Sequence, residues 1–386
     1  MELYRPPLSE AEYNARWLSL ADRAAFEGGF TRAYTGTRQY VGLEALLLSQ
    51  KEHRLLWEAS AALSAVLTRV TEWVQRNPPL LDVLGIPPEL EPWVTRAPGE
   101  GPFALWARLD WLCDTQGRWW CVECNADTPG GLPEATVWQR LARPEGAFAD
   151  PNEGLASSLG AVLRQALPGV AGLVTAPGHA EDRENTLAAA AARGGAYVLG
   201  GLPTVAEGQV LVGGQPVDSV YRFYPGHWLA RQTDLLGLLA GGFPCANPGR
   251  SLIVQSKALF ALLWHLVEEG VFLTLAERDW VRSFVPRTGV APLRNAWVAK
   301  PYWEWEGRGI ISGEGEGPAE PSCIYQQRVE PLSVGFPIRW MGGLQMVSAV
   351  PVVGVYLVDG EPAGCLTRMG GAVTDRSAHM VPTFIA

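Results

Sequence analysis

The sequence is short of charge, and of positive charge in particular. Charged residues make up only 18% of its 386 residues, and 31 Lys and Arg stand against 40 Asp and Glu, a formal net charge of −9. Proteins that bind nucleic acids or anionic membranes through a general basic field need the opposite balance. We therefore expect neither a nucleic acid nor a membrane as a partner.

A membrane-spanning run, a secretory signal and a disulfide framework are missing as well. No run of about eighteen apolar residues occurs, as a transmembrane helix would need. Residues 1–7 are polar and broken by proline, unlike a signal peptide. The six cysteines are Cys113, Cys121, Cys124, Cys245, Cys323 and Cys365. Their irregular spacing in a chain of this length is typical of free thiols, so a cytoplasmic protein is expected.

Apolar residues make up 47% of the chain, enough for a large core. Apolar residues at helical spacing predict helices in the first hundred residues, one starting near Glu10 behind Ser9 and one over 44–76. Short apolar runs such as 171–174 alternate with helical stretches between 157 and 250, which predicts an α/β lobe with some parallel strands. No catalytic motif is recognisable in residues 1–100.

Two β-like runs, 103–112 and 118–124, are joined by the turn sequence 114–117 and predict a hairpin. Alternate residues of a strand share a face, so the side chains of Arg108 and Asp110 project to the same side. Glu123 points with Asn125 for the same reason.

These four side chains bring two carboxylates, one amide oxygen and one guanidinium to one patch. Such oxygens are the ligands that Mg²⁺ takes beside phosphates, and arginine suits phosphoryl charge. A polar face of an exposed hairpin is the alternative.

The pair Cys121 and Cys124 has the spacing of some zinc and redox sites. In a regular strand, however, the two sulfur atoms would lie on opposite faces. No second pair follows at a suitable distance, so we do not expect metal binding by these thiols.

Lysine is scarce, and two of the three lysines stand where an anion would explain them. A helix is predicted from Ser256, as its cap, to Glu269, and Lys257 lies in its first turn. A lysine there opposes the helix dipole unless an anion is bound at the same end. An ordinary exposed lysine is the alternative.

Lys300 follows a β-like run, 296–299, and precedes the glycine-rich stretch 307–317. Glycines let backbone N–H groups approach phosphates, and a lysine adds a point charge. This order is typical of phosphate-binding loops. Further strands are predicted at 323–329, 346–357 and 363–367.

The run Arg108-Leu109-Asp110, followed by Glu123-Cys124-Asn125-Ala126-Asp127-Thr128-Pro129, resembles the opening motif of the glutathionylspermidine synthetase family, in the branch that lacks an amidase domain. Further stretches match the family in the same order. They are 221–225 with Trp228, Asn247-Pro248, Lys257, 297–307, 324–327 and 364–368.

The resemblance implies an α/β fold of the ATP-grasp type. It implies a helical N-terminal region at 1–100, a metal-site hairpin and following helix at 101–150, a pre-ATP-grasp lobe at 151–250 and a nucleotide-binding lobe at 251–386.

It also implies roles for eleven residues. The implied Mg²⁺ ligands are Asp110, Glu123 and Asn125, and the implied catalytic residues are Arg108 and Arg368. The implied ATP-binding residues are Lys257, Lys300, Glu306, Gly307, Gln326 and Gln327. The implied reaction uses ATP and Mg²⁺ to join a peptide or glutathione-like acid to a polyamine-like amine through an acyl phosphate.

Some positions depart from the family pattern. Trp305 replaces a usual arginine, His227 a common glutamate, Met369 a frequent acidic residue and Arg376 an asparagine. A nucleotide-binding regulatory protein without ligase activity is therefore the alternative. A zinc enzyme is disfavoured, because none of the five histidines forms a ligand-spaced pair.

Overall fold

The computed structural model describes residues 1–340 and 343–386 and has the mixed α/β fold expected from the sequence. Its longest helices, Glu10–Gly28 and Gln50–Gln75, each begin at a capping box that satisfies free N–H groups of the first turn. The other α-helices are Leu80–Val83, Glu91–Val94, Gln139–Leu141, Leu155–Ala166, Ala180–Arg193, Thr233–Ala240, Ser251–Gln255, Ala258–Glu269 and Leu275–Phe284. Short 3₁₀ or π turns lie at Pro88–Leu90, Glu134–Trp138 and Gly226–Arg231.

The largest sheet contains the expected hairpin, which we call the site hairpin: strands Trp106–Cys113 and Trp119–Asn125. Its first strand is buried along its whole length, because it pairs on its other side with the long strand Gly343–Val358. The other strands of this sheet are Tyr34–Thr35, Arg38–Gln39, Val334–Trp340, Glu361–Gly370 and His379–Val381. The site hairpin is thus joined to the sheet through a strand from the C-terminal part of the chain.

A parallel sheet lies within 157–250, as the alternating pattern predicted. Its strands, in spatial order, are Cys245–Ala246, Ser219–Phe223, Ala171–Thr175 and Tyr197–Gly200. Helix Ala180–Arg193 connects the last two of them, as a parallel connection requires. A small antiparallel sheet beside it consists of Thr204–Ala206, Gln209–Val212 and Gln215–Pro216.

An antiparallel sheet carries Lys300. Its strands, in spatial order, are Thr288–Gly289, Cys323–Gln327, Trp297–Pro301 and Ile311–Gly313. Lys300 pairs with Ile324, so the lysine lies beside the strand that carries Gln326. Helix Ala258–Glu269 packs against this sheet, and Lys257 is its N-cap residue.

Two helix boundaries differ from the prediction. The helix expected over 44–76 begins only at Gln50, because Ala45–Leu48 is a fully buried strand. This strand lies between Glu2–Tyr4 and Thr383–Ile385, pairing antiparallel with the first and parallel with the second. Ser256 does not cap the following helix, since its hydroxyl donates to the carbonyl of Leu84 at 2.6 Å.

The core between the site hairpin and the parallel sheet includes an aromatic stack. The rings of Trp106 and Tyr356 lie parallel with centroids 4.5 Å apart. The Trp106 indole donates to the carbonyl of Pro129 at 3.3 Å, and the Tyr356 hydroxyl donates to that of Gly130 at 2.9 Å. These two hydrogen bonds fix the loop after the hairpin.

Within the described residues, no helix is long and apolar enough to cross a bilayer.

The small sheet that joins both ends of the chain gives a stability prediction. Phe384 is fully buried there, at 0% exposure, against Ala45 and Leu47. Phe384→Ala should lower the free energy of unfolding by about 3–5 kcal/mol, through lost apolar burial and a cavity. Urea unfolding followed by tryptophan fluorescence measures the change.

The matched control is Phe26→Ala, because Phe26 is 91% exposed. That variant should change the free energy by less than about 0.5 kcal/mol. Equal midpoints for the two variants would contradict the packing described for Phe384.

Candidate functional site

The site hairpin brings its four predicted side chains to one face. Arg108 pairs with Asn125 and Asp110 pairs with Glu123, and paired residues of neighbouring strands project to the same side. The juxtaposition expected from strand alternation is therefore present.

Asp110 is the hub of the cluster and is only 1% exposed. It accepts from Arg108 through Nε at 2.6 Å and a terminal nitrogen at 3.1 Å. It also accepts from the Asn125 amide at 2.9 Å and from Arg368 at 2.6 Å. Burial raises the pKa of the Asp110 carboxyl, but the charges of Arg108 and Arg368 outweigh it, so the pKa lies below its ordinary value.

Glu123 and Lys257 form the second ion pair of the cluster, with Nζ 3.0 Å from Oε1. Lys257 also donates to the carbonyl of Glu304 at 2.5 Å, which links the helix start to the loop after Lys300. Burial works against ionisation of Glu123, yet the neighbouring Lys257 holds its pKa below the ordinary value. The Glu123 carboxyl is therefore ionised at neutral pH.

Lys300 is buried and faces the same cluster. Its Nζ donates to the carbonyl of Val122 at 3.0 Å and to the side-chain oxygen of Gln326 at 2.7 Å. Burial lowers the pKa of Lys300 to about 8, although Glu123 counteracts part of the effect. Near neutral pH this lysine is a desolvated cation close to its titration range.

The cysteines of the hairpin contradict one expectation. Val122 is an extra residue between the ladder pairs that contain Cys121 and Glu123, so a β-bulge shifts the alternation by one. Cys121 and Cys124 therefore lie in the same apolar core and not on opposite faces. Burial raises the pKa of both thiols, which keeps them protonated.

A cavity of about 320 Å³ opens over this cluster. Nine of the eleven predicted site residues line it: Asp110, Glu123, Lys257, Lys300, Glu306, Gly307, Gln326, Gln327 and Arg368. The remaining two, Arg108 and Asn125, line a second cavity of about 710 Å³. The residues shared by both are Glu123, Trp305, Glu306, Arg308 and Arg368. The two cavities therefore adjoin across the charged cluster.

The loop 303–317 covers the junction of the cavities and is held at its tip. Glu306 pairs with Arg376 at 3.1 Å. A Cβ on Gly307 would meet the Val373 side chain at 3.0 Å and the Thr374 carbonyl at 3.2 Å, so the loop lies close to 373–375. Arg376, noted in the sequence only as a departure, thus contacts the predicted loop directly.

Several residues of the second cavity were not anticipated. Arg32, Arg38 and Tyr40 line it, although residues 1–100 had shown no recognisable motif. Arg32 contacts three carboxylates, those of Glu134, Glu181 and Glu184, within 3.1–3.3 Å. No local signal marks these residues, because they lie in or beside two-residue strands that pair with each other, and only the pair of Arg38 with Trp340 joins them to a distant strand.

The donor set fits a hard divalent cation that binds together with phosphates. Asp110, Glu123 and Asn125 supply two carboxylates and an amide oxygen on one polar face. Each carboxylate is at present neutralised by a guanidinium or ammonium group. No group of three or more His, Cys, Asp or Glu side chains with metal-site geometry occurs among the described residues. A site of this composition would need oxygens from a ligand.

A protein family and a solved structure both match this chain over nearly its whole length. The family model described as glutathionylspermidine synthase preATP-grasp matches residues 15–386. A solved structure of a glutathione synthetase-like effector from Globodera pallida, in its apo form, superposes with a TM-score of 0.61 at 12% identity. The match covers 99% of this chain and 100% of that chain, and at this identity it shows a shared fold. With a family match over nearly its whole length, the chain belongs to the glutathionylspermidine synthase family.

Proposed function

We propose that this protein is an ATP-dependent carboxylate–amine ligase. The observation that carries the proposal is the cavity over the site hairpin, where Asp110 and Glu123 face Lys257 and Lys300. One buried and one half-buried lysine beside two carboxylates suit a polyphosphate and its cation, because the cavity wall then presents a positive charge to the phosphates and a negative charge to the cation. The adjoining cavity gives room for an acid and an amine.

The nucleotide occupies the smaller cavity in this proposal. Lys257 and Lys300 bind phosphate oxygens, and the strand with Gln326 and Gln327 meets the base. The loop with Glu306 and Gly307 covers the phosphates. This arrangement is supported by the lining of one cavity by all six residues.

Asp110, Glu123 and Asn125 are the residues that would hold Mg²⁺. When bound, the cation would neutralise phosphate charge. Arg368 lines both cavities, and its hydrogen bond to Asp110 uses one terminal nitrogen. We propose that the rest of its guanidinium group donates to a phosphoryl oxygen, as the catalytic role of Arg108 and Arg368 requires.

The reaction has two steps. An oxygen of the substrate carboxylate attacks the γ-phosphorus of ATP, ADP leaves, and an acyl phosphate forms. The amine nitrogen then attacks the acyl carbon, inorganic phosphate leaves, and loss of a proton from nitrogen gives the amide. The loop 303–317 excludes water, which protects the acyl phosphate from hydrolysis.

A nucleotide-binding regulatory protein is the second candidate, and one observation favours it. Both oxygens of Asp110 are already bonded to Arg108, Asn125 and Arg368. A cation must displace at least one of these donors. Nucleotide binding without ADP release across a broad set of peptide acids and amines would identify this alternative.

The charge of Asp110 gives the first test. Asp110→Asn should lower Mg²⁺-dependent ADP release by at least about a hundredfold, because the variant loses the charge that organises both arginines and the cation. ADP release with peptide acids and amines is the measurement. Asp234→Asn, at an exposed position, is the matched control and should keep full activity.

The unfolding midpoint of Asp110→Asn separates a lost site from a lost fold. A folded variant with normal turnover would refute the assignment of Asp110.

The lowered pKa of Lys300 gives a pH prediction. Only the protonated lysine attracts phosphate, and the pKa of Lys300 in the free protein is about 8. Phosphate raises that pKa in the complex, so affinity for a non-hydrolysable ATP analogue should be constant below pH 8 and fall above it, by up to about tenfold per pH unit. Calorimetric titration between pH 7.5 and 9.5 measures it.

Lys300→Arg is the control for this titration, since a guanidinium keeps its proton throughout the range. Its affinity should show no break near pH 8. A break of equal size in both proteins would assign the effect to another group.

Gly354 tests whether the position of Arg108 matters. Gly354 pairs with Asp110, and a Cβ there would lie 2.5 Å from Cδ of Arg108 and 2.9 Å from its Nε. Gly354→Ala should therefore displace the guanidinium and lower turnover by at least about tenfold, with little change in nucleotide affinity. Gly237→Ala, where nothing lies within 4 Å, is the control, and equal turnover in the two variants would argue against a role for Arg108.

A further inference from the structure

Four rings form a continuous surface at the junction of the two cavities, which we call the aromatic wall: His227, Trp228, Trp303 and Trp305. His227 stacks on Trp303 with ring centroids 4.8 Å apart and an interplanar angle of 28°. Trp305 lies 5.6 Å from Trp228 and 6.5 Å from His227. All four line the larger cavity, and Trp305 lines the smaller one as well.

The aromatic wall is open to the cavity and is not part of a sealed core. Trp228 is 38% exposed, and Trp305 is half-buried. Trp303 is anchored, since its indole donates to the carbonyl of Gly85 at 2.9 Å. Neither of the other two indoles donates a hydrogen bond to the described residues, so both keep a free N–H group beside apolar surface.

A buried ion pair positions one half of the aromatic wall. Asp127 pairs with Arg222, and both side chains are only 2% exposed. The second oxygen of Asp127 accepts from the backbone N–H of Gly226 at 2.7 Å, and Arg222 donates to the carbonyl of Tyr224. These bonds fix the chain next to His227, which places the rings at low conformational cost to a ligand.

The larger cavity carries both signs of charge, but the cation beside the Trp305 ring disfavours a further cation on that ring. The guanidinium of Arg308 lies 5.7 Å from the centre of the Trp305 ring and has no carboxylate partner among the described residues. A second cation bound on the Trp305 ring would be repelled by the nearby guanidinium of Arg308. Burial lowers the pKa of His227, so the imidazole is neutral near pH 7. Arg308 and Arg368, which line both cavities, suit the carboxylate of an acid.

We propose that the aromatic wall is a specificity subsite for an aromatic ring on the acid substrate, whose carboxylate lies toward Arg308 and Arg368. The subsite rests on the proposed function only in taking the larger cavity as the place of the acid. Flat rings gain from stacking on indoles beyond simple burial, and free indole N–H groups can donate to peptide carbonyls. An acid with a small side chain leaves the aromatic wall uncovered.

Calorimetry on the full-length protein, with and without Mg²⁺ and a non-hydrolysable ATP analogue, tests this subsite. The probes are N-acetylglycyl-phenylalanine and N-acetylglycyl-alanine, which differ only in the ring. The aromatic peptide should bind at least about tenfold more tightly. Trp228→Ala should abolish this preference, and Trp228→Phe should retain most of it.

Trp340→Ala is the matched control, because Trp340 is 37% exposed but lines neither cavity. It should leave the preference unchanged. The unfolding midpoint of each variant checks its fold.

Three outcomes would overturn the subsite. They are equal affinity of both peptides for the wild type, an unchanged preference in Trp228→Ala, and a selective loss of binding of the ATP analogue in that variant. Absence of ADP release would refute the ligase proposal alone. The preference for the aromatic peptide is measured separately, in the protein without nucleotide, and tests only the subsite.

Discussion

The structure around the candidate site depends on charge compensation at Asp110. A buried carboxylate without partners costs several kcal/mol, and a pair of buried guanidinium groups costs at least as much. Here Arg108, Arg368 and Asn125 together saturate the two oxygens of Asp110. Because Arg368 comes from the strand Glu361–Gly370, the same bonds tie the site hairpin to the C-terminal part of the sheet. The hydrogen bonds that set the geometry of the site therefore also stabilise the fold around it.

This compensation also bears on how a ligand would enter. Lys300 is buried, and the ion pair between Glu123 and Lys257 is largely shielded from bulk water. A nucleotide with its cation would bring both signs of charge, so that binding exchanges one set of partners for another. The main desolvation cost is thus met on folding, which is the physical meaning of a preorganised electrostatic site.

The local features of the site were predictable from the sequence, and the features assembled over long distances were not. Strand alternation and turn chemistry bring Arg108, Asp110, Glu123 and Asn125 together, and both signals lie within about twenty residues. The strand Ala45–Leu48 was taken for helix, since a short buried run has no period of its own.

The aromatic wall had no sequence signature either, because it joins two chain segments some 75 residues apart. Resemblance to a family supplied the lobes and the order of the lysines. It could not supply the two positions, His227 and Trp305, at which this chain differs and which meet in space.

The β-bulge at Val122 was not predicted for a related reason, because one extra residue leaves no mark in composition. The bulge shifts the in–out alternation of the strand by one residue. Cys121 before it and Cys124 after it therefore face the core, while Glu123 and Asn125 face the cavity. If the same residues formed a regular strand without the bulge, Cys121 and Glu123 would share one face, so that either the acid would turn into the core or the thiol into the cavity. The bulge, and not strict alternation, therefore sets the face that each of these side chains takes.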